Sequence, residues 1–222
     1  ANIFLWKWND KMIISDIDGT ITKSDVLGQL LPVIGKDWSQ AGIAQLYNMI
    51  SDNGYKFIYL SARAIGQAKI TRDYLRWIRQ GEQSLPDGPL LLSPSSLISA
   101  FHREVIERKP EEFKISCLKD ITALFPSDNN PLCAGFGNKI NDVWAYREVG
   151  IPISRIFTVN HKGELRMEES HTFMSSYTKL SDIVDHFFPP LLDTVDANQV
   201  KVASGNFHAP SEFSSFTYWR EP

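Results

Sequence analysis

The chain has 222 residues, enough for one domain with a sizeable apolar core, and carries a formal net charge of −3 at pH 7. This acidic balance argues against a dedicated nucleic-acid binder, and no run approaches the ~18 apolar residues that would predict a membrane span. No signal-peptide pattern is visible, so the sequence predicts a cytoplasmic protein in which Cys117 and Cys133 are reduced structural thiols.

Short β-prone apolar runs alternate along the chain with stretches of helical spacing. Strands are predicted at 11–17, 55–60, 90–92, 131–136 and 154–159, and helices at 24–31, 39–52, 65–80, 110–124, 139–149 and 176–187. This alternation predicts an α/β fold with a doubly wound, mainly parallel sheet. In such sheets ligands bind beyond the carboxyl ends of the strands.

The first predicted strand ends in two aspartates, within the run Asp16-Ile17-Asp18-Gly19-Thr20. Two carboxylates at the end of a buried strand are costly to desolvate unless a cation or a substrate uses them. The alternative is an Asp-Gly turn that closes a hairpin, which predicts another strand directly afterwards. The residues that follow have helical spacing instead, so the sequence favours a chemical site.

Three later segments place polar side chains at the ends of other predicted elements. Ser61 and Arg63 follow the second strand, Lys109 stands at the start of a helix, and Asn138 and Asp142 open the helix after the fourth strand. Taken singly, each has a plain structural alternative: a turn serine, a solvated lysine, or an N-cap and a first-turn acid that stabilise a helix. Their order along the chain favours one shared site.

The order of these motifs resembles that of the haloacid-dehalogenase phosphatase superfamily, whose first motif is Asp-x-Asp-Gly-Thr. The similarity to the lipin-type phosphatidate phosphatases is closer, and it runs from about residue 3 to residue 190. It is carried by residues 15–25, 54–57, 61–66, 88–94, 102–106 and 155–160. Lys139 stands where the family pattern has arginine, a change that keeps the charge but loses the forked geometry.

The resemblance implies that Asp16 is the nucleophile of a covalent phosphatase. Asp18 would protonate the departing alkoxide and then deprotonate the attacking water. Ser61, Arg63 and Lys109 would bind the phosphate oxygens, although Arg63 fits a surface ion pair equally well.

The same resemblance implies Mg²⁺, and the charge of the predicted site calls for a cation. Asp16, Asp18, Asp142 and a dianionic phosphate would gather several negative charges within a few ångströms. The predicted ligands are all oxygen donors: the Asp16 carboxylate, the Asp18 backbone carbonyl, the Asn138 amide, and Asp142 either directly or through water.

The spacing between motifs bears on the substrate. About forty residues separate Thr20 from Ser61, and about forty-five separate Ser61 from Lys109, which leaves no room for a large folded cap. An open site suits a substrate that is anchored in a membrane or in a protein. The resemblance selects phosphatidate, with diacylglycerol and phosphate as products, at the endoplasmic reticulum or nuclear membrane.

Two alternative functions remain open on the sequence. One is a phosphoprotein phosphatase on the same scaffold. The other is a transcriptional co-regulator that contacts a receptor through the Leu-x-x-Leu-Leu pattern of Leu27, Leu30 and Leu31. Such a pattern more often forms a buried helix face.

The two ends of the chain are rich in aromatic residues and lack helical spacing. Residues 1–8 and 205–222 are predicted as strands of a small Ig-like β-sandwich that an N-terminal lipin segment completes. The phosphatase domain is then expected over residues 9–190.

Membrane association is expected to be peripheral. The aromatic candidates for lipid contact are Trp77, with neighbouring arginines, and a Phe pair; the residues are Trp77, Arg72, Arg76, Arg79, Phe187 and Phe188. Core packing is the alternative for at least half of these aromatics.

Overall fold

A computed structural model describes residues 3–23, 39–94, 110–169 and 174–191, all within the compact unit Ala1–Leu191. The strands are β1 (Met12–Ser15), β2 (Lys56–Ala64), β3 (Arg79–Gln80), β4 (Gln83–Ser84), β5 (Leu90–Ser93), β6 (Leu132–Gly137), β7 (Ile156–Val159), β8 (Glu164–Met167) and β9 (Met174–Ser176). The helices are α1 (Ile43–Asp52), α2 (Ala68–Trp77), α3 (Pro110–Thr122), α4 (Ile140–Glu148), α5 (Tyr177–Ser181) and α6 (Val184–Phe187), with 3₁₀ turns at Ile65–Gln67 and Ile153–Arg155.

Seven of the strands in the described ranges form one sheet in the order β5-β2-β1-β6-β7-β8-β9. The first five in this order are parallel to their neighbours, whereas β7, β8 and β9 pair antiparallel. The predicted α/β fold with a mainly parallel sheet is therefore confirmed. Each of the five predicted strands is present, with bounds that differ from the expected ones by a few residues at most.

The antiparallel extension was not predicted. A tight turn joins β7 to β8: the Asn160 side chain accepts hydrogen bonds from the backbone N–H groups of Lys162 and Glu164, at 2.9 and 3.0 Å. Gly163 adopts a φ of 78° in this turn, which suits a residue without a Cβ. Strand β8 is as long as β1 and β7 but lacks the continuous apolar run by which those strands were predicted, and β9 has only three residues, so pattern analysis missed both.

Helices cover both faces of the sheet, and two apolar clusters fill the space between. Ile13, Phe57 and Phe136 face the cluster that includes residues of α1, α5 and α6. Ile14 and Leu60 face the other cluster, with residues of α3 and α4. Strand β1 is therefore buried on both faces, as expected for a central parallel strand, and its carboxyl end is fixed from both sides.

The expected terminal strands are not seen where the structure describes the chain. Residues 3–7 form no strand, and Ile3 and Leu5 are 94% and 95% exposed. The predicted strand at this end was expected to pair with a segment outside this chain, and an extended segment needs such a neighbour for its ladder hydrogen bonds, so it stays a prediction. Residues 205–222 lie outside the described residues, so the β-sandwich stays a prediction.

Some of the remaining expectations are tested by the described residues, and one lies outside them. Within the described ranges no helix is both long and apolar enough to cross a membrane. Cys117 and Cys133 are free thiols. Phe188 is fully buried and Phe187 packs on the same cluster, which assigns this pair to the core, whereas Trp77 is 80% exposed. The Leu-x-x-Leu-Leu segment at residues 27–31 lies outside the described residues.

Candidate active site

A cavity of about 160 Å³ opens at the carboxyl edge of the parallel sheet, beyond the ends of β1, β2 and β6. All the predicted site residues that the structure describes line this cavity: Asp16, Asp18, Ser61, Arg63, Asn138 and Asp142. Lys109 lies outside the described residues. Segments that are far apart in sequence thus meet at the edge where a doubly wound sheet binds its ligands.

Asp16 directly follows β1 and is held by its backbone. Its N–H donates to the Phe136 carbonyl at 2.9 Å, and the Ser15 hydroxyl donates to its carbonyl at 2.8 Å. The chain then turns sharply at Gly19, which has a φ of 82°. Asp16 is 5% exposed, so a buried carboxylate lies at a rigid strand end.

Lys114 is a charged site residue that the sequence analysis missed. Its Nζ lies 2.5 Å from Oδ1 of Asp16 and 2.5 Å from Oδ1 of Asp142, and the residue is 4% exposed. It stands four residues before Leu118 and seven before Ile121, both buried on the same face of α3. A lysine at a core-facing position of a helix was the signal that could have identified it.

The electrostatics of this cluster depend on burial. Desolvation raises the pKa of Asp16 from 3.8 to about 7; the charge of Lys114 opposes that rise, and the charge of Asp142 adds to it. Burial lowers the pKa of Lys114, but the charges of Asp16 and Asp142 outweigh burial, and its pKa is raised. Lys114 therefore stays an ammonium and favours the ionised form of Asp16.

Asp18 is bound by Arg63 in a bidentate pair. Nε of Arg63 donates to Oδ2 at 2.8 Å and Nη2 donates to Oδ1 at 2.5 Å, while Nη1 donates to the Thr71 hydroxyl of α2 at 3.1 Å. The Ser61 hydroxyl donates to the same Oδ2 at 3.2 Å. The ion pair foreseen for Arg63 thus exists, but it is buried inside the site instead of lying on the surface.

Asp142 acts at once as a helix cap and as a site carboxylate. Its Oδ2 accepts the backbone N–H groups of Asn138 and Lys139, each at 3.1 Å, and its Oδ1 faces Lys114. The close approach requires Gly137, because a Cβ there would lie 2.5 Å from Cβ of Asp142. The capping role and the chemical role are therefore carried by different oxygens of one side chain.

The side chains that could ligate a metal at this site suit a hard divalent cation. In the described part of the chain no group of three or more His, Cys, Asp and Glu side chains is arranged to hold a metal ion. Two carboxylates, Asp16 and Asp142, are joined through one ammonium, and Oδ2 of Asp16 has a long contact of 3.4 Å with the Thr20 hydroxyl. The described residues that line the cavity include carboxylates and amides but no His or Cys, which suits Mg²⁺ better than zinc.

A mainly parallel, doubly wound sheet, with two aspartates after its central strand that line a cavity at the carboxyl edge, defines an α/β domain with its candidate site at that edge. The chain belongs to the LNS2 (Lipin/Ned1/Smp2) family, whose model matches residues 1–189. The family resemblance inferred from the sequence is thereby confirmed.

Individual relatives agree with this assignment. Phosphatidate phosphatase LPIN2 of Mus musculus is 60% identical over 222 residues, which is 100% of this chain and 24% of the relative. Phosphatidic acid phosphohydrolase 1 of Saccharomyces cerevisiae is 53% identical over 209 residues, covering 88% of this chain and 24% of the relative. The chain thus spans about a quarter of the length of these curated relatives.

A solved D,D-heptose 1.7-bisphosphate phosphatase from B. bronchiseptica is similar with a TM-score of 0.42 and 10% identity, covering 79% of this chain and 98% of that chain.

Proposed function

We propose that this chain hydrolyses phosphatidate to diacylglycerol and phosphate through an aspartyl-phosphate intermediate. The observation that carries the proposal is the presence of Asp16 and Asp18 in one cavity, where Lys114 binds the first carboxylate and Arg63 binds the second. The substrate class is supported by the names of relatives such as phosphatidate phosphatase LPIN1 of Homo sapiens, which is 56% identical over 100% of this chain.

The chemistry divides into two displacements. A carboxylate oxygen of Asp16 attacks phosphorus, the bond from phosphorus to the glycerol oxygen breaks, and a proton from Asp18 passes to that oxygen. Asp18 then takes a proton from water, the water oxygen attacks phosphorus, and inorganic phosphate leaves with the Asp16 carboxylate restored. A rigid strand end suits this role, because attack needs the carboxylate oxygen held close to phosphorus.

Lys114 is the proposed partner of the transferring phosphoryl group. Its ammonium is already buried next to Asp16, so it can stabilise the charge that develops on the phosphoryl oxygens without reorganisation. Ser61 is proposed to bind a phosphate oxygen from the opposite side of the cavity. Lys109 keeps its predicted phosphate-binding role as a proposal.

Arg63 has two proposed tasks. Its bidentate bond orients the Asp18 carboxylate, and its bond to Thr71 fixes the guanidinium against α2. Binding of a phosphate oxygen would require one N–H to turn from Asp18 towards the substrate. Arg63 therefore links substrate binding to the orientation of the residue that moves the proton.

We propose Mg²⁺ as the cofactor, with Asp16, the Asp18 carbonyl, Asn138 and Asp142, directly or through water, as its ligands. Bound there, the cation would offset the repulsion between the site carboxylates and the phosphate dianion. Asp16 must be ionised to attack, and Lys114 is the described side chain whose charge lowers the Asp16 pKa against burial.

The proposed setting follows from the substrate. Phosphatidate lies in membranes, so the chain is proposed to act peripherally at the endoplasmic reticulum or nuclear membrane from the cytoplasmic side. Partnership with an N-terminal lipin segment, and receptor contact through residues 27–31, remain proposals, as does the absence of a nucleic-acid partner.

The test is phosphate release from phosphatidate in detergent micelles, with a phosphoserine peptide as the competing substrate. We expect turnover of phosphatidate that requires Mg²⁺, stops in excess chelator, and is inhibited by Ca²⁺. Calcium accepts more ligands and longer bonds, so it can take both oxygens of Asp16 and leave none to attack. Full activity in chelator would contradict the metal proposal, and faster turnover of the peptide would contradict the substrate.

A further inference from the structure

Exposed apolar side chains flank the catalytic cavity on both faces of the sheet. Ile65 and Ile70, 47% and 40% exposed, lie where α2 begins, and Ile140 and Trp144, 56% and 53% exposed, lie in the first two turns of α4. Since α2 follows β2 and α4 follows β6 almost directly, both sets lie at the carboxyl edge where the cavity opens. We call these four residues the rim.

The rim residues of α4 point away from the core. Val143 and Tyr146 are buried in the cluster beneath α4, whereas Ile140 and Trp144 are four residues apart on the opposite, solvent-facing side of the helix. Helix α2 contributes Leu75 to the other cluster. The two halves of the rim therefore belong to opposite layers of the fold, and the cavity lies between them.

The charged side chains next to the rim include three exposed cations, although the chain as a whole is acidic. These cations are Lys69, Arg72 and Lys139; the exposed acids at this edge are Asp73 and Glu112, and the partly buried Glu111 lines the cavity. Arg147 and Glu148 lie in the last turn of α4, away from this edge, and Glu148 forms an ion pair with Lys119 at 2.8 Å. Apolar side chains that are flanked by lysine and arginine match the interface of an anionic membrane.

We propose that the rim is the surface by which this chain rests on an anionic phospholipid bilayer. The proposal rests on the proposed function, because a lipid phosphate must reach Asp16, which is 5% exposed inside the cavity. A headgroup that stays attached to the bilayer can enter only if the bilayer surface lies against the mouth of the cavity. The four rim side chains then enter the headgroup region, and the flanking cations meet anionic lipid.

This surface differs from the one around Trp77. Because β2 and β5 are parallel, α2 returns from the carboxyl edge to the amino edge, and Trp77 at its last residue lies about 13 Å along the helix from its start. Leu124, 76% exposed, follows the end of α3 and lies towards that same far edge. These two residues are more exposed than the rim but are distant from the cavity, which makes them a matched control.

The experiment compares Ile140→Ala/Trp144→Ala with Leu124→Ala/Trp77→Ala in the 222-residue chain. Each double variant removes one tryptophan and one aliphatic side chain from exposed positions. Binding is measured by co-sedimentation with phosphatidylcholine–phosphatidylserine vesicles, and turnover with phosphatidylcholine–phosphatidate vesicles and with p-nitrophenyl phosphate as a soluble monoester. We expect at least about tenfold weaker vesicle binding and slower vesicle turnover for the rim variant alone, with soluble turnover unchanged for both. Rising salt should weaken the wild-type binding.

Several results would overturn the proposal. Equal loss of vesicle binding in both variants, loss in the Trp77 variant alone, or no vesicle binding by the wild-type chain would each do so. A rim variant that dissociates a dimer in sedimentation velocity while it still binds vesicles would assign the rim to a second copy of the chain. Failure of the proposed function would look different: phosphatidate would not be hydrolysed in any form, although vesicle binding would still report on the rim.

Discussion

Helix α3 carries two lysines that both bind acids of α4, and the surroundings of the two pairs differ. Lys114 is buried between Asp142 and Asp16, at 2.5 Å from each. Lys119 lies 2.8 Å from Glu148, with the two side chains 53% and 55% exposed. The same two helices are thus joined by one buried ion cluster at the site and one exposed pair near the opposite end of α3.

Burial decides what each pair can do. At the exposed pair, the hydrogen bond from Lys119 lowers the pKa of Glu148, and water and salt screen the attraction. At the buried cluster, desolvation raises the pKa of Asp16 to about 7 and leaves its ionised form dependent on Lys114. Perturbed groups that line a cavity are expected in a catalytic site, whereas an exposed pair of good geometry carries no such implication.

The largest loss of turnover should come from changes to the two aspartates in the cavity, Asp16 and Asp18. We expect Asp16→Asn and Asp18→Asn each to lower phosphatidate turnover by at least ~10³-fold, the scale for loss of a nucleophile or an acid–base group. Asp120→Asn, on the exposed side of α3, is the control and should leave turnover unchanged. Turnover is measured as phosphate release, and circular dichroism checks the fold. An Asp16 variant with a tenth of wild-type turnover would rule out the covalent route.

The lysine comparison tests burial directly through Lys114→Met and Lys119→Met. We expect the first to lower turnover by at least ~10²-fold, because a preorganised charge next to the phosphoryl group is removed. Its free energy of unfolding should fall by about 3 kcal/mol, because two buried carboxylates lose their counterion. Lys119→Met should change neither quantity measurably. Turnover is measured as phosphate release, and the free energy of unfolding is measured by urea unfolding in chelator.

Similar losses of turnover in the two lysine variants would break the comparison, since they would show that contact between α3 and α4 matters more than the buried charge. Loss of stability without loss of turnover in the Lys114 variant would assign that lysine a structural role. The phosphate-binding role proposed for Lys109 would then gain support.

Much of the parallel part of the fold could be predicted from sequence, because apolar strands and amphipathic helices alternate with clear periods. The paired aspartates were found for a similar reason, since Asp16 and Asp18 interrupt an apolar strand at its end. Strands β8 and β9 were missed because neither is a continuous apolar run and because β8 pairs with β7 through a turn built by Asn160. Local periodicity does not report on pairing between distant segments.

Lys114 shows the corresponding limit for the site. Sequence order favoured Lys109 because it stands at a predicted helix start, whereas the structure shows that Lys114, five residues further on, reaches two carboxylates. Arg63 was foreseen as a phosphate ligand or a surface pair, and it is a buried partner of Asp18. Which side chains pair between helices and strands depends on how these elements pack, and a single sequence does not specify that packing.

The pH dependence of the free energy of unfolding should also distinguish the buried ion cluster from the exposed pair. Asp16 has a folded-state pKa of about 7 against 3.8 for the ordinary carboxyl, so the folded chain binds more protons between these values. Its contribution to stability is therefore present below about pH 4 and is lost as the pH rises through about 7. The free energy of unfolding of wild type minus that of Asp16→Asn, in chelator, should fall across this window. A flat or rising difference would contradict the assigned shift.

The smallest effect should come from the exposed pair. The pKa of Glu148 is lowered by Lys119, so its contribution to stability is present at neutral pH and is lost as the pH falls through the lowered value. Because both side chains are more than half exposed, solvent screening should leave little of it. We expect Lys119→Gln, Glu148→Gln and the double variant to melt within about 1 °C of wild type, with no coupling in a double-mutant cycle at physiological salt. A clear coupling that survives high salt would show that the exposed pair fixes α3 against α4, and that burial is not what distinguishes the two lysines.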